Sequence, residues 1–110
     1  MSLDIRFTVK RDIICPHCGM VVKTEDGYSA ESGGRGWYPI LTDLGYYVPY
    51  DKRTGANDWY GKDMVLTDEQ LDKVYCFVKK LSDLYSAADI LGLIAMARYE
   101  KCSVAVNADW

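Results

Sequence analysis

The sequence predicts an α+β domain of two layers, with strands at both ends of the chain and helices between them. Three observations carry this reading. Near the start, Ile5, Phe7 and Val9 alternate with Arg6, Thr8 and Lys10, which is the period of a strand with one face buried. In the second half, Leu71, Val74, Tyr75, Val78, Leu81 and Tyr85 recur at helical spacing. At the end, Cys102, Val104, Val106, Ala108 and Trp110 alternate once more. The chain has 110 residues, 49% of them hydrophobic and 26% charged, which is enough for one core and calls for no second domain.

Taken in order, Met1, Ser2 and Leu3 read as a cloning remnant, and residues 4–24 as a β-hairpin. Its first strand runs through "DIRFTVKRDII", and "MVVKT" is the return strand. Cys15 to Gly19 then form the tight turn between them. Residues 25–66 read as a loop-rich region, because Glu25 to Gly36 is polar and "SGGRG" favours turn geometry. Within it, "WYPILTDLGYY" holds a short helix with Pro39 in its first turn and Gly45 at its end. Residues 67–110 read as helix, helix and strand. Thr67 followed by Asp68, Glu69 and Gln70 is a capping-box signature. Ser86 with Asp89 repeats the start signal, and the segment to Tyr99 is apolar nearly all round, so that helix is expected at the centre of the fold. The last strand is expected to pair with the first.

Charge and patterning exclude several classes of function. The net charge of -3 gives no global basic field for a nucleic-acid backbone. The longest apolar run, Ala87 to Ala97, contains Asp89 and is far shorter than the roughly 20 residues of a membrane helix. The first residues show no charged stretch followed by an apolar core and a small-residue cleavage site, so no signal sequence is expected. Four cysteines at irregular spacing then imply a reducing cytoplasm rather than a disulfide scaffold. The chain has one histidine and lacks the nucleophile-elbow, phosphate-loop, dinucleotide-fold and zinc-protease motifs. The expectation is a protein that is not an enzyme.

One motif carries chemistry. In Cys15-Pro16-His17-Cys18-Gly19 two thiolates two residues apart can hold one zinc ion in a tight turn. His17 is boxed between them and is expected to be exposed. The pattern resembles half of a zinc-ribbon knuckle, and Ser29 and Ser32 have the spacing of a second knuckle with serine in place of cysteine. Serine hydroxyls are poor zinc ligands near neutral pH, so this would be a degenerate ribbon. Cys76 falls about 140° from Leu71 around its helix, and Cys102 begins the last strand. Both read as small apolar residues rather than further ligands. Another completion joins two chains into a homodimer, each giving Cys15 and Cys18 to one zinc. That arrangement resembles the zinc hook of DNA-repair ATPases, which also uses Cys-Pro-x-Cys. Cys-Pro-His-Cys further resembles the active site of periplasmic thiol oxidases. In that family the first cysteine opens a helix whose N-terminus activates it, whereas here Met20, Val21 and Val22 favour a strand.

The other feature is aromatic. Tyr28, Trp37, Tyr38, Tyr46, Tyr47, Tyr50, Trp59 and Tyr60 crowd between residues 28 and 60, with Arg35, Arg53 and Lys62 among them. Rings with a polar tip suit interfaces. Arg35, Trp37, Tyr38, Trp59, Tyr60 and Lys62 are therefore the candidate residues for binding a protein partner. Stacking on single-stranded nucleic acid is an alternative that the acidic balance disfavours, and covering the core is the purely structural role. "SGGRGWY", "NDWYGKDMVLT" and the terminal "NADW" resemble small uncharacterised proteins of phages and mobile elements of Gram-positive bacteria. The resemblance spans nearly the whole chain and implies a small cytoplasmic accessory protein, with no activity and no site residue attached.

Overall fold

The computed structural model describes residues 3–56, 58–80 and 87–110. The order of elements is β1 (Asp4–Ile14), β2 (Val21–Gly33), α1 (Tyr38–Asp43), β3 (Met64–Val65), α2 (Asp68–Lys80), α3 (Ala87–Tyr99) and β4 (Ser103–Asp109). The strands form one antiparallel sheet in the order β2-β1-β4-β3. The chain is thus α+β, and its last strand lies beside its first. Among the described residues no helix is long and apolar enough to cross a membrane.

Alternation explains how the two layers meet. Ile5, Phe7 and Val9 of β1 and Val104, Val106 and Ala108 of β4 share one face and are all buried. The helices cover that face with Ile40 and Leu41 from α1, Leu71, Val74 and Val78 from α2, and Ile90, Leu93, Ile94 and Ala97 from α3. Trp37 ties the layers together, with its ring 5.6 Å from Phe7 on the sheet and 5.7 Å from Phe77 on α2. The opposite face of the sheet carries Arg6, Thr8, Lys10 and Asn107, and none of the described helices packs on it. Ala105 is nevertheless buried there, because Thr8 and Val65 flank it on the neighbouring strands.

Local chemistry sets the helix ends. Gln70 N–H donates to Thr67 Oγ1 at 3.2 Å, and Thr67 N–H donates to Gln70 Oε1 at 2.9 Å, so both partners of the capping box are in place at the start of α2. Pro39 stands in the first turn of α1, where its missing N–H would have had no helical partner. Gly45, at φ 78°, reverses the chain after α1 and lets Tyr46 N–H reach Leu41 O at 2.9 Å.

Three expectations differ from the structure. Glu25 to Gly33 is strand rather than loop, since β2 continues to Gly33 in register with Asp4. An edge strand keeps one side in water and needs little apolar alternation; its backbone bonds to β1 hold it, and a bulge opposite Val9 absorbs Gly27. Leu3 is fully buried and its carbonyl accepts Gly34 N–H at 2.9 Å, so it packs as part of the fold. Finally, α3 covers the sheet with one face only, and Ala88, Gly92, Ala95, Met96 and Tyr99 look outward. Apolar composition alone does not place a helix at the centre. Leu81, Tyr85 and Ser86, assigned by spacing to the helical region, lie outside the described residues.

Candidate functional site

The two strands of the hairpin are longer than the sheet they join. β4 pairs with β1 only as far as Lys10 opposite Ser103, while β1 and β2 stay paired to Ile14 opposite Val21. Residues 11–14 and their partners therefore project as a two-stranded arm, about 14 Å of ribbon by the strand rise. Its base is braced. Arg11 donates to Glu100 Oε2 at 2.8 Å on one side, and on the other Lys10 reaches Asp26 at 2.5 Å and Asp63 at 2.9 Å.

Cys15 to Met20 close the tip of this arm. Cys15 N–H donates to Met20 O at 2.8 Å and Gly19 N–H to Cys15 O at 2.9 Å. Gly19 takes the left-handed conformation this turn demands, at φ 73°. Hydrogen bonding from the backbone of Cys18 first and of His17 second, with the Cys18 thiol third, holds the Cys15 pKa below that of an ordinary thiol. Each such donor favours the charged form. The turn thus supplies by backbone hydrogen bonding part of what a helix N-terminus supplies in a thiol oxidase. Both sulfurs are free thiols, Cys18 exposed and Cys15 half-buried, and His17 is exposed as expected.

The rest of the tip is apolar and wet. Ile14, Met20, Val21 and Val22 are 59%, 68%, 55% and 60% exposed. Sequence reasoning passed over these four as strand residues, although residues 13 to 22 contain no Asp, Glu, Lys or Arg, and a turn in the middle of such a run brings its two halves together.

The other cysteine and serine candidates stand elsewhere. Ser29 and Ser32 sit on β2 opposite Thr8 and Ile5, roughly 25 and 35 Å respectively along the strand from the turn. They share no site with Cys15 and Cys18, and the Ser32 hydroxyl accepts Trp37 Nε1–H at 3.2 Å. Cys76 is exposed on α2, and Cys102 lies half-buried at the base of the arm, its sulfur 3.7 Å from Glu100 O. Among the described residues no group of three or more His, Cys, Asp or Glu side chains is placed to hold a metal ion.

The aromatic candidates divide. Trp37 has no exposed surface to offer a partner, being the ring at the centre of the core. Arg35 is exposed in the 3-10 turn before α1. Tyr38, Trp59 and Tyr60 join one cluster at the end of the sheet, built on Tyr46, Tyr47 and Trp110. Tyr38 meets Tyr47 edge-on at 5.0 Å, Tyr60 meets Trp110 edge-on at 4.8 Å, and Trp59 stacks on Tyr46 at 6.4 Å. The cation of this cluster is Arg53, 5.7 Å from the Tyr47 ring and 5.5 Å from Trp110. Lys62 contributes its backbone carbonyl, which accepts the Tyr46 hydroxyl at 2.7 Å. These rings mostly face one another and seal the sheet end, with Tyr60 left 47% exposed. Trp110 enters the cluster only because the sheet order brings the last strand beside Gly61 and Lys62, a pairing that no local pattern announces. No protein-family model, curated protein or solved structure matches the chain.

Proposed function

We propose that the protein is a non-catalytic binding protein that works through the tip of its β1–β2 arm, where Cys15 and Cys18 form a two-thiolate half-site for zinc. The observation that carries this reading is the turn itself, closed by Cys15 N–H to Met20 O at 2.8 Å, Gly19 N–H to Cys15 O at 2.9 Å and Gly19 at φ 73°, which sets two free thiols two residues apart at the end of the arm. Hydrogen bonding from the Cys18 and His17 backbone, which lowers the Cys15 pKa, supports it. Hydrogen bonds to sulfur favour the thiolate, and the thiolate is the form that binds metal. A buried cysteine of the ordinary structural kind has no use for such donors. Position adds support, because the arm holds the turn clear of the helical layer, within reach of another molecule. The aromatic cluster is less apt for this work, since its rings are largely occupied with each other and with Arg53.

Cobalt(II) reports on such a site through its thiolate-to-metal absorption. Titrated into the reduced protein it should develop that band, and the paired substitution Cys15→Ser with Cys18→Ser should abolish it. Cys76→Ser with Cys102→Ser should leave it intact. A wild-type protein that takes up neither cobalt nor zinc would end the proposal.

A further inference from the structure

We infer that the complete metal site belongs to two chains: two copies of this protein meet tip to tip through Ile14, Met20, Val21 and Val22, and Cys15 and Cys18 of each enclose one zinc ion in a tetrahedron of four thiolates. The inference rests on reading the thiol turn as a zinc half-site and adds the partner that completes it.

The ligand count points outward. A structural zinc site is closed by four ligands, the turn supplies two, and the described residues gather no third. Cys76 lies on α2 and Cys102 at the foot of the arm, so neither caps the tip. A second copy brings an identical pair, and a two-fold axis through the metal makes the contact self-complementary.

Shape and charge permit the approach. Because β4 leaves β1 at Lys10, the last part of the arm stands free, and two arms can touch end to end while their helical layers stay apart. The whole chains repel weakly, at -3 each, but residues 13 to 22 carry no Asp, Glu, Lys or Arg, so the tips themselves do not oppose contact. As zinc binds, the thiols of the two chains release their protons to solvent. The resulting centre holds four thiolates around one divalent ion and keeps a net negative charge, which hydrogen bonding from the Cys18 and His17 backbone of both chains then stabilises.

The apolar side chains gain a purpose in this arrangement. Nothing in the pairing of β1 with β2 requires Ile14, Met20, Val21 and Val22 to be apolar, yet all four are more than half exposed around the thiols. A second tip covers them and keeps water from the metal. Four side chains per chain fall short of the roughly 1,200 Å² that a stable interface buries, so the dimer should exist only with its metal.

Light scattering on the full-length, reduced protein tests this while zinc is added in steps. The metal-free chain should run as a monomer, the mass should double as zinc reaches half an equivalent per chain, and a chelator should return it to the monomer. Val22→Glu, at an exposed position outside the core, should keep the circular dichroism of the parent and raise the protein concentration needed for zinc-driven pairing at least tenfold. Saturation at one zinc per chain with the mass of a monomer would overturn the clasp and leave the half-site standing. A dimer indifferent to chelator would likewise overturn it, and absence of any zinc uptake would remove the half-site as well.

Discussion

Tyr46 shows how much a single side chain can hold. Its ring is buried, and its hydroxyl donates to Lys62 O at 2.7 Å and accepts Ala108 N–H at 2.8 Å. Burial raises its pKa, so the hydroxyl stays protonated and able to donate. One residue thereby joins the segment before β3 to the end of β4. Tyr46→Phe keeps the ring and strands both backbone groups, and should destabilise the protein by about 1–3 kcal/mol in chemical denaturation. The zinc uptake proposed for the arm should not change, because Tyr46 and the thiol turn share no contact. Tyr46 was legible in the sequence only as one aromatic among many. Cys15 and Cys18 were legible as a pair, since the motif is local, whereas the hydrogen bonding around Cys15 required the turn itself.

Elements differ in how far their sequences announce them. The start of α2 is written within four residues, Thr67 to Gln70, and the structure has both of its reciprocal hydrogen bonds. Thr67→Ala removes the side-chain acceptor and should cost about 1 kcal/mol, seen as a lower urea midpoint with an unchanged slope. β2 is the opposite case. Its second half, "EDGYSAESG", carries Ala30 as its only buried residue, and the backbone pairing that makes it a strand is invisible in side-chain pattern. β3, two residues long, is set wholly by its bonds to β4. The arm follows from the same imbalance, because β1 and β2 outrun β4 and leave a ribbon with water on both faces.

At the scale of the whole molecule, the open face of the sheet is held by polar groups drawn from distant parts of the chain. Lys10 on β1 lies between Asp26 on β2 and Asp63 just before β3, and Asn107 on β4 donates to Asp63 Oδ1 at 2.8 Å. The Asn107 amide first, and Lys10 second, hold the Asp63 carboxyl below its usual pKa, while Asp26 and then Asp63 raise that of Lys10. A carboxylate with a depressed pKa contributes stability that is complete above its unfolded value, near 3.8, and that is lost as pH falls through its folded value. Lys10, shifted upward, contributes below 10.5 and loses its share only as pH rises beyond that. Between these limits the contribution is flat. Asp63→Asn should therefore lower stability near pH 7 and weaken its fall in acid, measured as denaturation midpoints between about pH 2 and 7. An unchanged acid slope would place the dependence in other carboxylates.

The α+β class, the hairpin with its thiol turn, the cap of α2 and the buried alternation of β1 and β4 can all be read from the order of residues. Each of these depends on residues a few positions apart, so spacing and side-chain type suffice to specify it. Tertiary structure alone decided that β2 runs to Gly33, that Trp37 is core while Tyr60 remains partly open, that Arg53 and Trp110 complete the aromatic cluster, and that α3 turns one apolar face to solvent. These depend on which strand lies beside which and on where a partner strand stops. Such contacts join residues up to the full length of the chain apart, and no local period encodes them.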